Sequence, residues 1–401
     1  MKKPLEGIRV ISATGALFGP YCAMLLGNMG AEVIKIEKPG TGDMNRDWGP
    51  FFPGVQGPDK SAYFAGIHRG QKSVAINLKN EKAKQLLKEM VKKSDVFIQN
   101  FKPGTLEEWG LGYEDLKKVN PRIIYAAGSG FGQYGPYSSW ASYDIIGQAM
   151  GGFMDMNGWP DKPPCRAGSS IGDIASGMFL CIGILAALRY RDLTGKGQLV
   201  DVAQVDSMLA VSETAALKYT VEGIVPTRSG AAHPTITPFD IYPTTDGWVC
   251  IAAGNDGIFK RLADAMGKPE MVKDPRFDTN PHRNKNYGAL KPIISDWTKD
   301  KKKWDITNLL HKSDIPCAPV YNIKEVVEDD HVAKHREMIV EVDQPPYGKV
   351  KMLGFPIKFS ETKIVPTEPA PMLGQHTEEV LGGLLGYTKA ELEQFKKEGV
   401  Y

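Results

Sequence analysis

The sequence predicts an α/β fold, with a doubly wound, Rossmann-like layer through about residue 202 and a smaller α+β region after it. The main observation is a repeated alternation of short apolar strands and helical segments. It begins with a strand at residues 8–12, a helix at 20–29 and a strand at 31–37. This strand–helix–strand unit is typical of a parallel sheet. The second observation is Asp246-Gly247 between two strand-like runs, which is a strong hairpin signal.

The remaining elements continue this pattern. Further strands are predicted at residues 72–79, at 94–104 together with the following loop, and at 122–127, with helices Glu81–Lys92 and Tyr113–Val119 between them. A helix at 214–223 leads out of the first layer. The smaller region is predicted to contain a strand at 248–253 and helices at 258–266, Tyr287–Thr298 and 304–311, and the chain ends in the polar helix Lys389–Lys397.

The chain is organised around an apolar run at residues 174–188, which holds no charge and no proline. It is too short to cross a bilayer, which takes about 20 apolar residues. We therefore predict a helix buried on most of its faces in a large core. Arg189 and Arg191 mark its carboxyl end, where cations are favoured. Asp173, the only charge between Arg166 and Arg189, stands at its start.

Two interpretations of Asp173 follow from the residues alone. It is either the helix N-cap, with a carboxylate that accepts backbone N–H groups, or a carboxylate nucleophile that forms a covalent intermediate. Spacing does not choose between them.

Composition excludes several classes of function. Lys plus Arg number 49 against 47 Asp plus Glu, and no basic run is interleaved with aromatic residues, so we expect no nucleic-acid partner. The first residues lack the apolar segment of a signal peptide. Five scattered cysteines indicate reduced, mostly buried thiols, and neither they nor the seven histidines have metal-ligand spacing. We expect a cytoplasmic protein that does not enter a membrane.

Four segments carry a resemblance to a known family. They are residues 168–179 (Gly-Ser-Ser-Ile-Gly-Asp-Ile-Ala-Ser-Gly-Met-Phe), residues 193–202, the opening at 27–43 with its Gly-Thr-Gly-Asp turn, and residues 371–381 near the end. The chain resembles the class III coenzyme A transferases, the CaiB/BaiF family. That family includes formyl-CoA transferase, carnitine CoA-transferase and the 2-methylacyl-CoA racemases. The resemblance spans almost the whole chain.

The resemblance implies a mechanism and an assembly. The aspartate that opens this helix attacks an acyl-CoA in the family, and that role falls on Asp173. Coenzyme A is then a substrate, and no tightly bound cofactor is expected. Two ring-like chains interlock as a homodimer in the family. The implied domains are a large CoA-binding domain at 1–222, a small α+β domain at 223–325 and a return segment at 326–401 that packs on the large domain.

The resemblance also assigns site residues. Those expected to hold CoA are Lys38, Asn77, Leu78, Lys79, Asn100, Phe101, Lys102, Tyr143 and Asp144. Lysine suits phosphate as a flexible point charge, although each lysine could equally be a solvated surface residue. The expected acyl pocket is formed by Leu17, Phe18, His233, Gly254 and Asn255. Backbone N–H groups of the loop 252–257 are candidate oxyanion donors.

Four positions depart from the family pattern. Glu108 stands where formyl-CoA transferase has an arginine, Ala141 where it has a lysine, and Leu17 where it has a glutamine. These three differences make formyl-CoA and oxalate poor candidate substrates. Tyr143 replaces the histidine base of the racemases. Tyrosine, with a pKa of about 10, is a weaker base at neutral pH, which favours a transferase over a racemase or epimerase. Asp144 could also be a helix-capping residue.

Two further segments bear on the predicted function and domain organisation. Gly130–Gly135 matches Gly-x-Gly-x-x-Gly after a strand, but Pro136 follows instead of a helix, so a nicotinamide oxidoreductase is a distant alternative. Residues 315–320 resemble the family's return segment into the first domain.

The leading prediction is a CoA-transferase that acts between two carboxylic acids. The alternatives are a 2-methylacyl-CoA racemase and a non-catalytic acyl-CoA-binding relative.

Overall fold

The computed structural model describes residues 2–401 and divides them into two compact units. The first comprises residues up to 153 together with 166–222 and 329–401, and the second comprises 154–165 and 223–328. The division into the three domains inferred from the resemblance stays a prediction.

A parallel sheet of six strands forms the centre of the described part of the first unit. The strands are β1 (Arg9–Ala13), β2 (Glu32–Glu37), β3 (Lys72–Ala75), β4 (Val96–Gln99), β5 (Ile124–Ser129) and β6 (Leu199–Ala203). Their order is β3-β2-β1-β4-β5-β6, the order of a doubly wound Rossmann-like sheet. The predicted large parallel α/β layer is therefore confirmed. The third strand is shorter than predicted and ends at Ala75.

Helices cover both faces of this sheet. Up to residue 222 the chain forms the helices α1 (Phe18–Asn28), α2 (Ala62–His68), α3 (Glu81–Lys92), α4 (Thr105–Glu108), α5 (Tyr113–Val119), α6 (Asp144–Met150), α7 (Phe153–Met156), α8 (Ile171–Thr194), α9 (Gln204–Ala210) and α10 (Ala215–Glu222), of which α7, apart from Phe153, belongs to the second unit. Successive residues of a strand point to opposite faces. On β4, Phe97 packs into the core with α3 and α5, while Val96 and Ile98 pack into the core with α1 and α8. Both faces are apolar because both are covered.

Helix α8 is longer than the apolar run that predicts it. At 24 residues it is, by length and composition, the one helix among residues 2–401 that could cross a membrane, and just over half of its most apolar window is buried inside the protein. Length and composition alone are weak evidence of a membrane span, and the run at residues 174–188 is itself shorter than the about 20 apolar residues that a bilayer requires. Burial on most faces was overstated, because Met178, Phe179 and Ile182 form an exposed apolar strip. Its other side packs against α1.

The second unit contains an antiparallel sheet. Strands β7 (Phe239–Thr244) and β8 (Gly247–Ala252) form the predicted hairpin, with Thr244 opposite Gly247. Strand β9 (Cys317–Pro319) adds to β8. Residues 317–319 thus belong to the second unit's sheet, which corrects their interpretation as a return segment. Its helices are α11 (Asp256–Ala265), α12 (Asn280–Lys285), α13 (Tyr287–Thr298), α14 (Lys303–Lys312) and α15 (Ile323–Glu328).

The C-terminal part returns to the first unit. It contains the two-stranded sheet β10 (Ile339–Gln344) and β11 (Gly348–Leu353), and the helices α16 (Thr377–Glu379) and α17 (Lys389–Lys397). Residues 374–377 bind the outer side of β3. There, Ala75 N donates to Thr377 Oγ1 at 3.0 Å and Ser73 N donates to His376 Nδ1 at 3.2 Å. These bonds close an edge that would otherwise expose unpaired backbone groups.

Gly177 is expected to set the distance between α1 and α8. A methyl group added there would lie 2.9 Å from the Phe18 carbonyl oxygen and 3.2 Å from Tyr21 Cβ. Because a carbonyl in a packed helix cannot move freely, Gly177→Ala should lower the free energy of unfolding by about 1–3 kcal/mol. Chemical denaturation measures this. Gly66→Ala in α2 is the control, since nothing lies within 4 Å, and should gain up to about 1 kcal/mol from helix propensity. Equal stability of the two variants would contradict this packing constraint.

Candidate active site

A cavity of about 460 Å³ lies at the carboxyl ends of the central strands. Its walls come from residues 14–16 after β1, 37–38 and 42–44 after β2, 100–103 after β4 and 128–130 after β5. Residues 140–143, Asp173 and Gln204 complete it. Strands β1 and β4 are the neighbours at which the strand order reverses, and this is where open α/β sheets bind ligands.

Asp173 is the third residue of α8 and is only 9% exposed. The helix begins at Ile171 after Ser170, so Asp173 is not the N-cap, and that interpretation was wrong. Asp144 does the capping from the start of α6. Its Oδ1 accepts hydrogen bonds from Gly172 N at 2.8 Å and from Asp173 N at 3.3 Å. The carboxylate of Asp173 is thereby not required for capping.

Burial and a like charge act together on the Asp173 carboxyl group. Desolvation, followed by the charge of Asp144, raises its pKa from 3.8 to about 7, although a hydrogen bond from Gln204 opposes the increase. Burial and the charges of Asp173, Asp43 and Asp144 raise the pKa of Tyr63 to about 12, so its hydroxyl stays protonated at neutral pH. A carboxylate with a pKa near neutrality is both available and more basic, which suits a nucleophile.

The loop after β1 is held in a strained conformation beside the cavity. Ala16 has φ +62°, which is unfavourable for a residue with a side chain. Its N–H donates to Asp43 Oδ1 at 3.1 Å and its carbonyl accepts from Asn45 Nδ2 at 2.8 Å. Asn100 pairs with both backbone groups of Gly15, at 2.9 and 2.8 Å. These side chains fix the backbone that lines the cavity.

Buried charges support this loop. Lys35 Nζ, fully buried, donates to Asp43 Oδ2 at 2.7 Å and to the Thr14 carbonyl at 3.0 Å. Glu37 accepts the Asp43 N–H at 3.0 Å and forms a two-pronged ion pair with Arg46. Burial alone would raise the pKa of Glu37, but the Arg46 hydrogen bonds and the Lys35 charge lower it to about 2. The Glu37 carboxylate therefore stays ionised across the neutral range.

The structure brings many of the predicted site residues to one cavity. Phe18, Lys38, Asn100, Phe101, Lys102 and Tyr143 line it together with Asp173. The altered position Ala141 also lines it. Tyr143 is 60% exposed and precedes α6, and the buried Asp144 caps the helix that carries Asp173.

Other predicted residues lie elsewhere. Asn77, Leu78 and Lys79 follow β3, where Asn77 N donates to the Val400 carbonyl and Leu78 packs against the core. Leu17 is buried at the start of α1 and Glu108 ends α4. His233, Gly254 and Asn255 belong to the second unit; Asn255 caps α11, and His233 Nδ1 accepts from the backbone of Thr235 and Ile236. Their roles in binding stay predictions.

Three polar residues of the site were missed from the sequence. Gln204 donates to Asp173, Tyr63 faces the same carboxylates, and Asp43 holds the loop after β1. Asp43 had a signal, because it ends the Gly-Thr-Gly-Asp turn at the carboxyl end of β2. Gln204 and Tyr63 had no such signal. Gln204 opens the short helix α9 and Tyr63 lies in the short helix α2, and both are far from Asp173 in sequence. The predicted free thiols are confirmed for all five cysteines.

The fold and the cavity together define an α/β enzyme with a buried carboxylate near strands β1 and β4, where the strand order reverses. Residues 5–377 match the model of CoA-transferase family III, and the chain belongs to this family. It is similar to the succinyl-CoA–D-citramalate CoA-transferase of Chloroflexus aurantiacus, with 38% identity over 99% of this chain and 98% of the relative. It is 35% identical to the human succinyl-CoA:glutarate CoA-transferase, covering 99% of this chain and 90% of the relative.

A solved structure supports the same assignment. A CaiB/BaiF family protein from Brucella suis superposes with a TM-score of 0.85 at 38% identity, covering 96% of this chain and all of that chain. A further relative, 39% identical over 90% of both chains, is named acetyl-CoA:oxalate CoA-transferase, from Acetobacter aceti. The resemblance inferred from residues 27–43, 168–202 and 371–381 is confirmed.

Asp173→Asn should stabilise the protein at alkaline pH. The folded carboxyl group has a pKa of about 7 against 3.8 ordinarily. Between these values the folded state binds more protons than the unfolded state, so wild-type stability falls as pH rises and stays lower above pH 7. At pH 8 the variant should therefore be more stable by about 1–4 kcal/mol. Denaturation at pH 4, 6 and 8 measures the gap, which should shrink towards pH 4. The exposed Asp161→Asn is the control, and a gap independent of pH would contradict the burial cost.

Asp43→Asn should destabilise the first unit strongly. The carboxamide keeps the shape and can still accept the Ala16 N–H, but it removes the ion-pair partner of the buried Lys35. Loss of one partner of a buried pair costs about 3–5 kcal/mol. Thermal and chemical denaturation test this. The double variant Lys35→Met/Asp43→Asn removes both charges and should recover part of the loss. A double variant no more stable than Asp43→Asn would show that the charge pair is not the cause.

Proposed function

We propose that this enzyme moves coenzyme A from an acyl-CoA donor to a carboxylic acid acceptor through covalent intermediates on Asp173. The observation that carries the proposal is a buried carboxylate with a pKa near 7 in the wall of a cavity at the reversal of strand order. The names of the relatives support CoA transfer between two acids. Succinyl-CoA is the donor to test first because it is named in two of them.

The chemistry conserves the thioester's energy. The Asp173 carboxylate attacks the thioester carbonyl and displaces CoA thiolate, which gives a mixed anhydride. The thiolate then attacks the aspartyl carbonyl, the Cγ–O bond to the acyl group breaks, and the donor acid leaves as a carboxylate. The acceptor carboxylate attacks the resulting aspartyl-CoA thioester and displaces CoA thiolate, which gives a second mixed anhydride. CoA thiolate finally attacks the acceptor's carbonyl, which forms the product thioester and releases the Asp173 carboxylate. Burial of Asp173 supports this sequence, since water would hydrolyse the anhydride.

The walls of the cavity suit an acyl-CoA. Lys38 and Lys102 contribute ammonium groups to its lining, and a flexible ammonium is a good partner for phosphate. Phe18 and Phe101 contribute apolar surface for the pantetheine arm. We therefore retain Lys38, Asn100, Phe101 and Lys102 as CoA-binding residues. Oxalate stays among the acceptors to be tested, since a 39%-identical relative is named for it.

We also propose the finer features that the family resemblance implies. These are an interlocked homodimer, a cytoplasmic location, no resident cofactor, no nucleic-acid partner, and the domains 1–222, 223–325 and 326–401. The exposed apolar side chains of Met178, Phe179 and Ile182 on α8 and of Leu217 and Val221 on α10 support a partner surface. In a folded protein such side chains usually meet another chain or a ligand.

Asp173 should carry the covalent label in the wild-type enzyme. Incubation with succinyl-CoA, digestion and mass spectrometry should give a peptide that contains Asp173 with CoA or succinate attached. Asp173→Ala should lose the label and reduce transfer by about 10⁴-fold or more, as expected for loss of a nucleophile. Asp161→Asn, an exposed substitution, should retain both. With an acceptor acid labelled with ¹⁸O in its carboxylate, the Asp173 side chain should become heavier.

Two outcomes would replace this proposal. Exchange of the α-proton of a 2-methylacyl-CoA into deuterated water without an acceptor acid would favour a racemase. Unchanged turnover in Asp173→Ala would show that the carboxylate is not the nucleophile.

A further inference from the structure

Gln204 is the polar side chain that contacts the Asp173 carboxylate. It is the first residue of α9, is 4% exposed and lines the cavity. Its Nε2 donates to Asp173 Oδ1 at 2.5 Å. In the described chain, residues 2–401, this is the one hydrogen bond that the carboxylate accepts, because the backbone N–H groups of Gly172 and Asp173 are directed to Asp144. Gln204 therefore distinguishes the two oxygens of the nucleophile.

The orientation of the Gln204 amide is fixed from its other side. An ionised carboxylate only accepts, so the amide nitrogen must face Asp173. The Ser142 hydroxyl donates to Gln204 Oε1 at 2.7 Å, which is shorter than its alternative bond to the Tyr143 carbonyl at 3.2 Å. Ser142 thus holds the amide in the orientation that directs its N–H at Oδ1. The chain Ser142–Gln204–Asp173 is a line of oriented dipoles.

Two glycines make room for this chain. A Cβ on Gly147 would lie 2.7 Å from Gln204 Cβ, and a Cβ on Gly130 would lie 2.2 Å from Ser142 Cβ. Real Cβ atoms do not approach so closely. Gly130 is the first glycine of the Gly-x-Gly-x-x-Gly match. Because Ser142 lies so close, a residue with a side chain would not fit at position 130.

We propose that Gln204 donates the hydrogen bond that stabilises the oxyanion on Asp173 Oδ1 whenever the aspartyl carbonyl is attacked. The inference rests on the proposed covalent mechanism. When Oδ2 has attacked the donor thioester, Oδ1 is the remaining carbonyl oxygen of the anhydride. Attack of CoA thiolate at Cγ forms the C–S bond and moves the carbonyl electron pair onto Oδ1. Collapse then breaks the Cγ–Oδ2 bond and releases the donor acid.

The same hydrogen-bond donor acts in the second half of the reaction, when the acceptor acid attacks. When the acceptor carboxylate adds to the aspartyl-CoA thioester, the negative charge again forms on Oδ1, and CoA thiolate leaves on collapse. A preorganised donor at this oxygen lowers both barriers, because it is already oriented when the charge develops. Gln204 is also neutral. A neutral amide assists the charged form without the strong ion pair that would reduce the basicity of the nucleophile.

The test replaces the amide with an apolar side chain of similar length, Gln204→Met. At pH 9, where Asp173 is ionised, transfer from succinyl-CoA to glutarate should fall by about 10²-fold, the usual effect of losing one oxyanion donor. Quenched reactions analysed by mass spectrometry should still show label on the Asp173 peptide. The label should shift from the CoA thioester towards the succinyl anhydride, and hydrolysis of succinyl-CoA to free CoA should increase relative to transfer.

A control separates this effect from the cost of losing a buried amide. Gln344 in β10 is buried to a similar extent and its Nε2 donates to the Ala370 carbonyl at 3.1 Å, but it does not line the cavity. Gln344→Met should lower the melting temperature without changing the ratio of hydrolysis to transfer. Ser142→Ala, which removes the positioning hydroxyl, should reduce transfer less than Gln204→Met and change the ratio in the same direction.

A second variant keeps the proposal testable if Gln204→Met fails to fold. In Gln204→Glu the new carboxyl group can donate only while it is protonated, whereas Asp173 must be ionised. Its activity should therefore fall as pH rises through the range in which wild-type activity reaches its plateau. Because the new charge also raises the pKa of Asp173, the deciding readout is the ratio of hydrolysis to transfer, which a merely structural role for Gln204 would leave unchanged.

The outcomes distinguish this inference from the mechanism on which it rests. No label on Asp173 in the wild-type enzyme would overturn the covalent mechanism and the role of Gln204 together. Label on wild-type Asp173 with Gln204→Met transfer within about threefold of wild type would overturn the role of Gln204 alone. A 10²-fold loss with label retained and shifted to the anhydride would support both.

Discussion

The contact between Asp144 and the amino end of α8 determines what Asp173 can do. A buried helix start needs acceptors for its free N–H groups, and the N-cap side chain would ordinarily supply one, but Ser170 makes no such bond. Here the acceptor comes from α6, at 2.8 Å from Gly172 N and 3.3 Å from Asp173 N. This frees the carboxylate of Asp173 for the cavity. The same contact places the negative charge of Asp144 beside Asp173. Together with burial, this charge raises the pKa of the Asp173 carboxyl group.

The surroundings of this carboxylate are rigid because they are built from buried charges. Lys35, Asp43, Glu37 and Arg46 are joined by short hydrogen bonds under the loop that follows β1. That loop holds Ala16 in a left-handed conformation, which a residue with a side chain adopts only when its neighbours enforce it. Such strain is common where a backbone group must be presented to a ligand. The site therefore combines a buried carboxylate with a strained loop, and both lower the stability of the fold.

The fold could be read from the sequence to a large extent, but the site only in part. The parallel layer, the hairpin at Asp246-Gly247 and helices such as Glu81–Lys92 follow from apolar periodicity and turn residues. Local patterns do not report partners distant in sequence, which is why the residues alone left a capping role open for Asp173 that Asp144 in fact performs. Gln204 was missed for the same reason, since its contact with Asp173 joins two helices 31 positions apart. The segment 317–319 was misplaced because a three-residue strand has no periodicity.

The pairing of residues 374–377 with β3 has a consequence for biosynthesis. The outermost strand of the Rossmann-like layer receives its final neighbours from the far end of the polypeptide, about 300 positions later. A nascent chain emerging from the ribosome therefore carries an open sheet margin until translation is nearly finished. Prematurely terminated products would keep that margin exposed and adhesive, so the segment near the carboxyl terminus protects the sheet from association with other chains.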